Sequence, residues 1–217
     1  MSDRMQQHPT SEEESRRVAE ESRQTEWEGK GFLRDLFLGN FQLDVIHPFP
    51  VPEDRPEFLK FYEDMKSFLT NEVDSAAIDQ TGEYPDHVVD GLRKLGAFGI
   101  KIPKEYGGLG FTVSEYCKVM EMVGSVDGNL SALLSAHQSI GVPQPLKLFG
   151  TPEQKKKYLT RCAAGAISAF ALTEPHVGSD PARLLTTAKK EGDHFVLNGE
   201  KLWCTGGTIA ELLVVMA

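Results

Sequence analysis

The sequence predicts an α+β chain, a helical body followed by short strands, and three observations carry that prediction. Up to Gly165 the apolar residues recur at three- and four-residue steps, the spacing of one helical face. Beyond it they fall in short runs punctuated by Gly192 and by Asn198-Gly199, as strands joined by turns do. The 217 residues are 40% hydrophobic and 25% charged, which supplies enough apolar material for one core or somewhat more.

Residues 1–29 carry eight acids and four bases with almost no large apolar side chains. Such a segment cannot bury enough surface to offset its ordering entropy, and it reads as an acidic tail. Residues 30–52 are apolar but broken by Gly39, Pro48, Pro50 and Pro52, the pattern of an extended arm lying over a neighbouring surface. The helical body is expected over residues 53–165. Its first helix places Phe58, Phe61, Tyr62, Met65, Phe68, Leu69 and Val73 on one face. A second runs from about Pro85 to Leu95 and stops at Gly96, which tolerates the left-handed cap.

A third helix starts after Thr112 or Ser114 and carries Tyr116, Val119, Met120 and Val123; a fourth carries Leu130, Leu133, Leu134 and His137. Thr151 opens a fifth: its hydroxyl can accept an orphan amide, Pro152 needs no amide there, and Gln154 completes a capping box. From residue 166 to 217 strands are expected at Ile167 to Thr173, Leu185 to Lys189, His194 to Leu197 and Lys201 to Thr205. The closing ELLVVMA reads as a further apolar strand, and a sheet interrupted there leaves a sticky edge, so more residues are expected to follow.

The formal net charge of -9 argues against a nucleic-acid partner, because no basic cluster could neutralise a run of phosphates. Cys117, Cys162 and Cys204 share no metal-binding or disulfide spacing, and no His, Asp or Glu set suggests a metal. No apolar stretch approaches bilayer-spanning length, and the polar N-terminus resembles neither a secretory signal nor a transit peptide, which makes a bacterial-type cytoplasmic setting the expectation. Gly107 and Gly108 read as a turn, since no P-loop lysine follows. Lys155, Lys156 and Lys157 read as a solvated helical face, His137 as packed in or capping the fourth helix, and His176 and His194 as exposed.

Three segments carry a resemblance: GAFGIKIPKEYGGLG (Gly96 to Gly110), AHQSIGVPQPLKLFGTPEQKKKYL (Ala136 to Leu159), and FALTEPHVGSD with LNGEKLWCTGG (Phe170 to Asp180 and Leu197 to Gly207). In this order and spacing they resemble the acyl-CoA dehydrogenase family, with the arm before Pro50 and the AHQSIG run most like its very-long-chain branch. The motifs are long and built of unlike residues, so they specify far more than a lone GxGxxG. The resemblance implies a helical N-terminal acyl-CoA dehydrogenase domain, the start of a middle β-barrel domain, and a C-terminal helical domain absent from this chain.

The resemblance also implies bound FAD, with Phe170, Ala171, Leu172, Thr173, Gly178, Ser179, Trp203, Cys204 and Thr205 as its neighbours and Ser179 near substrate as well. Physically, the two threonine hydroxyls can donate to the polar edge of a flavin and Trp203 offers it a flat apolar wall. Without the family pattern, AFALT is half-buried sheet and Trp203 a core residue.

The implied reaction is α,β-dehydrogenation of a fatty acyl-CoA, with electrons passing to an electron-transferring flavoprotein and a homodimer as the working assembly. No catalytic residue is expected here. Glu174 stands beside the flavin motif but reads as structural, the base coming from beyond Ala217, so this chain alone is expected to be inactive. Leu130, Ala132, Leu133, Leu134 and Ala136 could leave room for a long acyl tail or simply pack a core. Three positions depart from the family pattern: Cys204 replaces a β-branched residue, Gly206 lies where Asn is usual, and His176 replaces a small residue. The alternative class is a flavin- or acyl-CoA-binding assembly protein that has lost dehydrogenation.

Overall fold

The computed structural model describes residues 32–49 and 53–217. They belong to two compact units that divide after Glu53. The expected acidic tail and Pro50 to Pro52 lie outside the described residues.

In the first unit the arm is not extended throughout. Phe32–Phe37 form a short helix, α1, and Leu43–Val45 a 3-10 turn. Gln42 Nε2 donates to Asp35 Oδ2 at 2.7 Å, and the Phe32 and Phe41 rings meet edge-on at 5.8 Å. These contacts fold the segment back on itself, which its glycine and prolines alone do not reveal.

The second unit opens with α2, Pro56–Glu72, where Pro56 occupies the first helical position and so forfeits no hydrogen bond. Its Phe58, Phe61, Met65 and Leu69 are buried, as their spacing predicts. A short α3, Ser75–Thr81, is absent from the periodicity reading because it buries only Ile78; the Asp74 carboxylate caps it by accepting from the Ala77 amide. Next comes α4, Asp86–Leu95, ending at Gly96 with φ 76°. The Gly107-Gly108 pair forms a turn, as expected, and a Cβ on Gly108 would strike the Ile102 backbone.

The long pair α5, Val113–Val126, and α6, Gly128–Ser139, packs side by side. Thr112 and Glu115 form a reciprocal capping box on α5. Asp127 caps α6 through the Leu130 amide at 2.6 Å and also accepts from Ser75 Oγ at 2.7 Å, tying α3 to the pair. A short α7, Pro143–Phe149, follows; its prolines conceal it from sequence reading. The last helical run, α8, comprises Pro152–Gln154, a π-helical turn Lys155–Leu159 and Thr160–Ala163, and opens with the expected Thr151–Gln154 box. One apolar core joins α2, α4, α5 and α6 around Phe58, Met65, Phe98, Val119, Leu130 and Leu134.

Four strands follow among the described residues. β1, Ser168–Ala171, pairs in parallel with β4, Leu212–Val215, in the register Ser168 to Leu212. β2, Thr187–Glu191, and β3, His194–Asn198, make an antiparallel hairpin that turns at Gly192, φ 65°. The first three expected strands and the ELLVVMA strand therefore form, with shifted ends. The strand expected at Lys201 to Thr205 does not, and Asn198-Gly199 is accordingly no hairpin turn. Trp203 at φ 57° breaks the extended conformation there, and a main-chain bond from the Leu202 amide to Thr173 O, 2.8 Å, holds the segment as a loop.

Candidate functional site

The loop at residues 200–205 meets the end of β1 through an ion pair. Lys201 Nζ donates to Leu172 O at 3.0 Å and to Glu174 Oε1 at 2.8 Å, and the Lys201 side chain is only 11% exposed. Glu174 also accepts from the Leu185 and Thr186 amides and from the Thr186 hydroxyl. Burial pushes its carboxyl up, but Lys201 and these donors outweigh burial and hold it down at about 2. Three of these donors converge on Oε1 and the Leu185 amide on Oε2, and this geometry is that of a brace.

The brace brings Leu202, Trp203 and Thr205 opposite Phe170, Leu172 and Thr173, with Ala136 and Ile140 from the end of α6 forming the third side. Together they line a cleft of about 270 Å³, close to the lower end of small-ligand pockets. Its wall is aliphatic and aromatic with two hydroxyls, and no carboxylate lines it. Trp203 is 87% exposed and holds a left-handed backbone. A bulky residue in that conformation costs on the order of 1–3 kcal/mol, which surrounding structure must offset.

Of the nine residues marked as cofactor neighbours, five line this cleft: Phe170, Leu172, Thr173, Trp203 and Thr205. The other four do not. Ala171 is 3% exposed, since alternation along β1 turns it away from Phe170. Cys204 turns back to bring its Sγ within 3.7 Å of Leu202 O. Gly178 and Ser179 are exposed in the loop beyond Glu174.

Ala136 and Ile140 were legible as one helical face, four residues apart, but nothing in that spacing told which neighbour they would meet. Leu130, Leu133 and Leu134 are buried in the helical core, Ala132 is exposed and Ala136 half-buried. Two larger clefts lie elsewhere. One of about 580 Å³ lies between α4 and the Gly206 to Ile209 turn, and one of about 440 Å³ between α7, α8 and β4. Neither gathers the Phe170 and Trp203 segments, so size does not select the site.

Behind the cleft, His137 is fully buried with both ring nitrogens engaged: Nε2 lies 2.9 Å from Phe98 O, and Nδ1 accepts from the Ser168 amide at 3.1 Å. That pattern requires the proton on Nε2. Burial lowers the ring's affinity for a second proton, to a pKa of about 4. His176 and His194 are exposed, as expected.

A helical body passing into strands, with a small cleft walled by Phe170 and Trp203 at the junction, defines an α+β unit. Sequence profiles then place it. The acyl-CoA dehydrogenase N-terminal domain matches residues 55–166 and the acyl-CoA dehydrogenase middle domain residues 169–217. The chain belongs to the acyl-CoA dehydrogenase family.

Among its relatives, the probable acyl-CoA dehydrogenase FadE10 of Mycobacterium tuberculosis is 53% identical over 216 residues, 98% of this chain and 33% of that protein. The mouse very long-chain specific acyl-CoA dehydrogenase, mitochondrial, is 38% identical over 88% of this chain and 30% of its own length. Among solved structures, butyryl-CoA dehydrogenase from Megasphaera elsdenii superposes with a TM-score of 0.69 at 28% identity, covering 76% of this chain and 45% of that one. An acyl-CoA dehydrogenase complexed with FAD from Bacillus anthracis gives 0.66 at 33% identity, covering 75% and 29%. The chain thus spans about a third of the length of the curated relatives it matches.

Proposed function

We propose that this chain supplies the helical domain and the flavin-facing wall of an FAD-dependent dehydrogenase that converts fatty acyl-CoA to trans-2-enoyl-CoA. The convergence of Phe170, Leu172, Thr173, Trp203 and Thr205 on one cleft carries the reading. The wall fits the cofactor: flat apolar side chains suit a ring face, and hydroxyls suit its polar edge. Bound FAD would supply the hydride acceptor. Phe170, Leu172 and Leu202 exclude water from the ring's surroundings, Thr173 and Thr205 donate toward its polar edge, and Trp203 closes the mouth. Ser179, exposed beyond the cleft, is the donor offered to the acyl-CoA.

In the reaction a carboxylate takes the substrate's α proton while the β carbon gives up hydride. No carboxylate lines the cleft and Glu174 is committed to Lys201, so the base comes from another part of the longer protein. The likeness to the very-long-chain relatives favours a long acyl group; an electron-transferring flavoprotein as acceptor and a homodimer follow only from the family resemblance of the sequence motifs. The described residues contain no helix long and apolar enough to cross a membrane.

The test uses the full-length gene product. It should purify yellow and bleach anaerobically with a long-chain acyl-CoA, whereas an oxidised spectrum that persists across all chain lengths would sink the reading. The 217-residue chain expressed by itself should turn over no acyl-CoA, and measurable turnover would show that a base lies within it.

A further inference from the structure

His137 sits where the helical body meets β1. Ser168, its partner, lies between the two family-matched segments, which end at 166 and resume at 169. Three bonds converge on this pair. The Ser168 amide donates to His137 Nδ1 at 3.1 Å, Ser168 Oγ lies 2.9 Å from the same nitrogen, and the Val142 amide donates to Ser168 Oγ at 3.1 Å. His137 Nε2 reaches instead into the helical body, to Phe98 O. The ring therefore has one arm in each part of the fold. Packing is tight enough that a Cβ on Gly141 would collide with Ser168 Oγ and with the His137 backbone.

The register of this lock transfers directly to the cleft. Ser168 and Phe170 share one face of β1, two residues and roughly 7 Å apart. On the helical side Ala136 and Ile140 flank His137, and both line the cleft against Phe170. Fixing Ser168 on His137 therefore fixes the separation of Phe170 from Ala136 and Ile140.

We propose that His137 is a positioning residue for the cofactor site: its Nδ1 holds β1 at the spacing that lets Phe170 and the end of α6 grip a flavin. This rests on the reading of the cleft given above. The two nitrogens divide the labour. Nδ1 sets the cleft, and Nε2 anchors the ring to the helical core. An asparagine amide can place an acceptor where Nδ1 stands while losing the reach to Phe98 O. A glutamine can keep the donor to Phe98 O while losing the acceptor for Ser168.

The experiment compares the unaltered full-length protein with His137→Asn and His137→Gln. Each is stripped of cofactor and titrated with FAD by flavin fluorescence, and its unfolding temperature is recorded without FAD. Glutamine should weaken FAD binding by about tenfold, the effect of one unmade buried hydrogen bond. Asparagine should stay within about threefold of the unaltered protein despite a lowered unfolding temperature. Losses of affinity that follow unfolding temperature equally in both variants would overturn the positioning role.

Ser168→Ala, which keeps the amide and removes Oγ, gives a milder reading if the glutamine variant does not fold. Weakened FAD binding with an intact fold supports the lock, and unchanged affinity overturns it. An unaltered protein that binds no FAD would sink the reading of the cleft and the positioning role with it. FAD bound equally by the unaltered and glutamine proteins would sink the positioning role alone.

Discussion

At Trp203 a large indole is held at φ 57° and left 87% exposed, two costs that folding alone does not reward. Trp203→Gly should relieve the backbone and raise stability toward urea by about 1 kcal/mol. In the full-length protein the same change should weaken FAD binding by more than about tenfold, the loss of a stacked ring face. Unchanged affinity would show that the indole is no cofactor wall. Glu174 makes the opposite case. It sits beside the flavin motif yet is braced by Lys201 and by three donors from Leu185 and Thr186. Glu174→Gln should therefore lower the unfolding temperature by several degrees, roughly as loss of a buried charge partner does, and leave the pH profile of kcat/KM in place. A displaced acidic limb would make Glu174 the base after all.

Among the elements, α5 shows how a local signal gains long-range support. Thr112 and Glu115 close a capping box, and Arg55, sixty residues earlier, donates to both oxygens of Glu115. The Arg55 guanidinium leads in drawing the Glu115 carboxyl down to about 2, with Thr112 assisting against burial. A carboxyl lowered on folding contributes stability that is complete above its unfolded value of 4.5 and lost as pH falls toward 2. Glu115→Gln should flatten the stability profile between pH 5 and 2, measured by urea midpoints. Thr112→Ala should cost about 1 kcal/mol near neutral pH, the worth of one cap, and somewhat less as pH falls toward 2, because the Thr112 hydroxyl also donates to the Glu115 carboxylate.

The box at Thr151 was legible because capping needs only residues three apart, whereas at α5 the sequence left the start open between Thr112 and Ser114. Legible too were the face of α2, whose apolar period is helical, and the stop of α4 at Gly96. The short helices α3 and α7 were not: seven residues each, they bury almost nothing of their own and form because neighbours hold them. Nor was the loop at Lys201 to Thr205, where alternation looks like a strand until Glu174 and Thr173 claim its polar groups.

On the scale of the whole second unit, the cleft is a property of the junction, which explains why its residues were only half legible. The strand motif named Phe170 and Thr173, but which side of β1 faces α6 depends on His137 and Ser168, thirty-one positions apart. Ala171 stays out of the cleft for that reason: a motif marks a segment, and tertiary packing chooses the face. If the junction is one mechanical unit, damage deep in the helical body must reach the cleft. Phe98 tests this, being fully buried, edge-on to the His137 ring at 5.3 Å and carrying the carbonyl that binds Nε2. Phe98→Ala should destabilise by about 3–5 kcal/mol, the cost of a large core cavity. In the full-length variant, cofactor release followed by flavin fluorescence and loss of helix followed by circular dichroism should then move to lower urea together. Two separated transitions, with flavin released well before the helices unfold, would show that cleft and helical core are independent and that the junction transmits nothing between them.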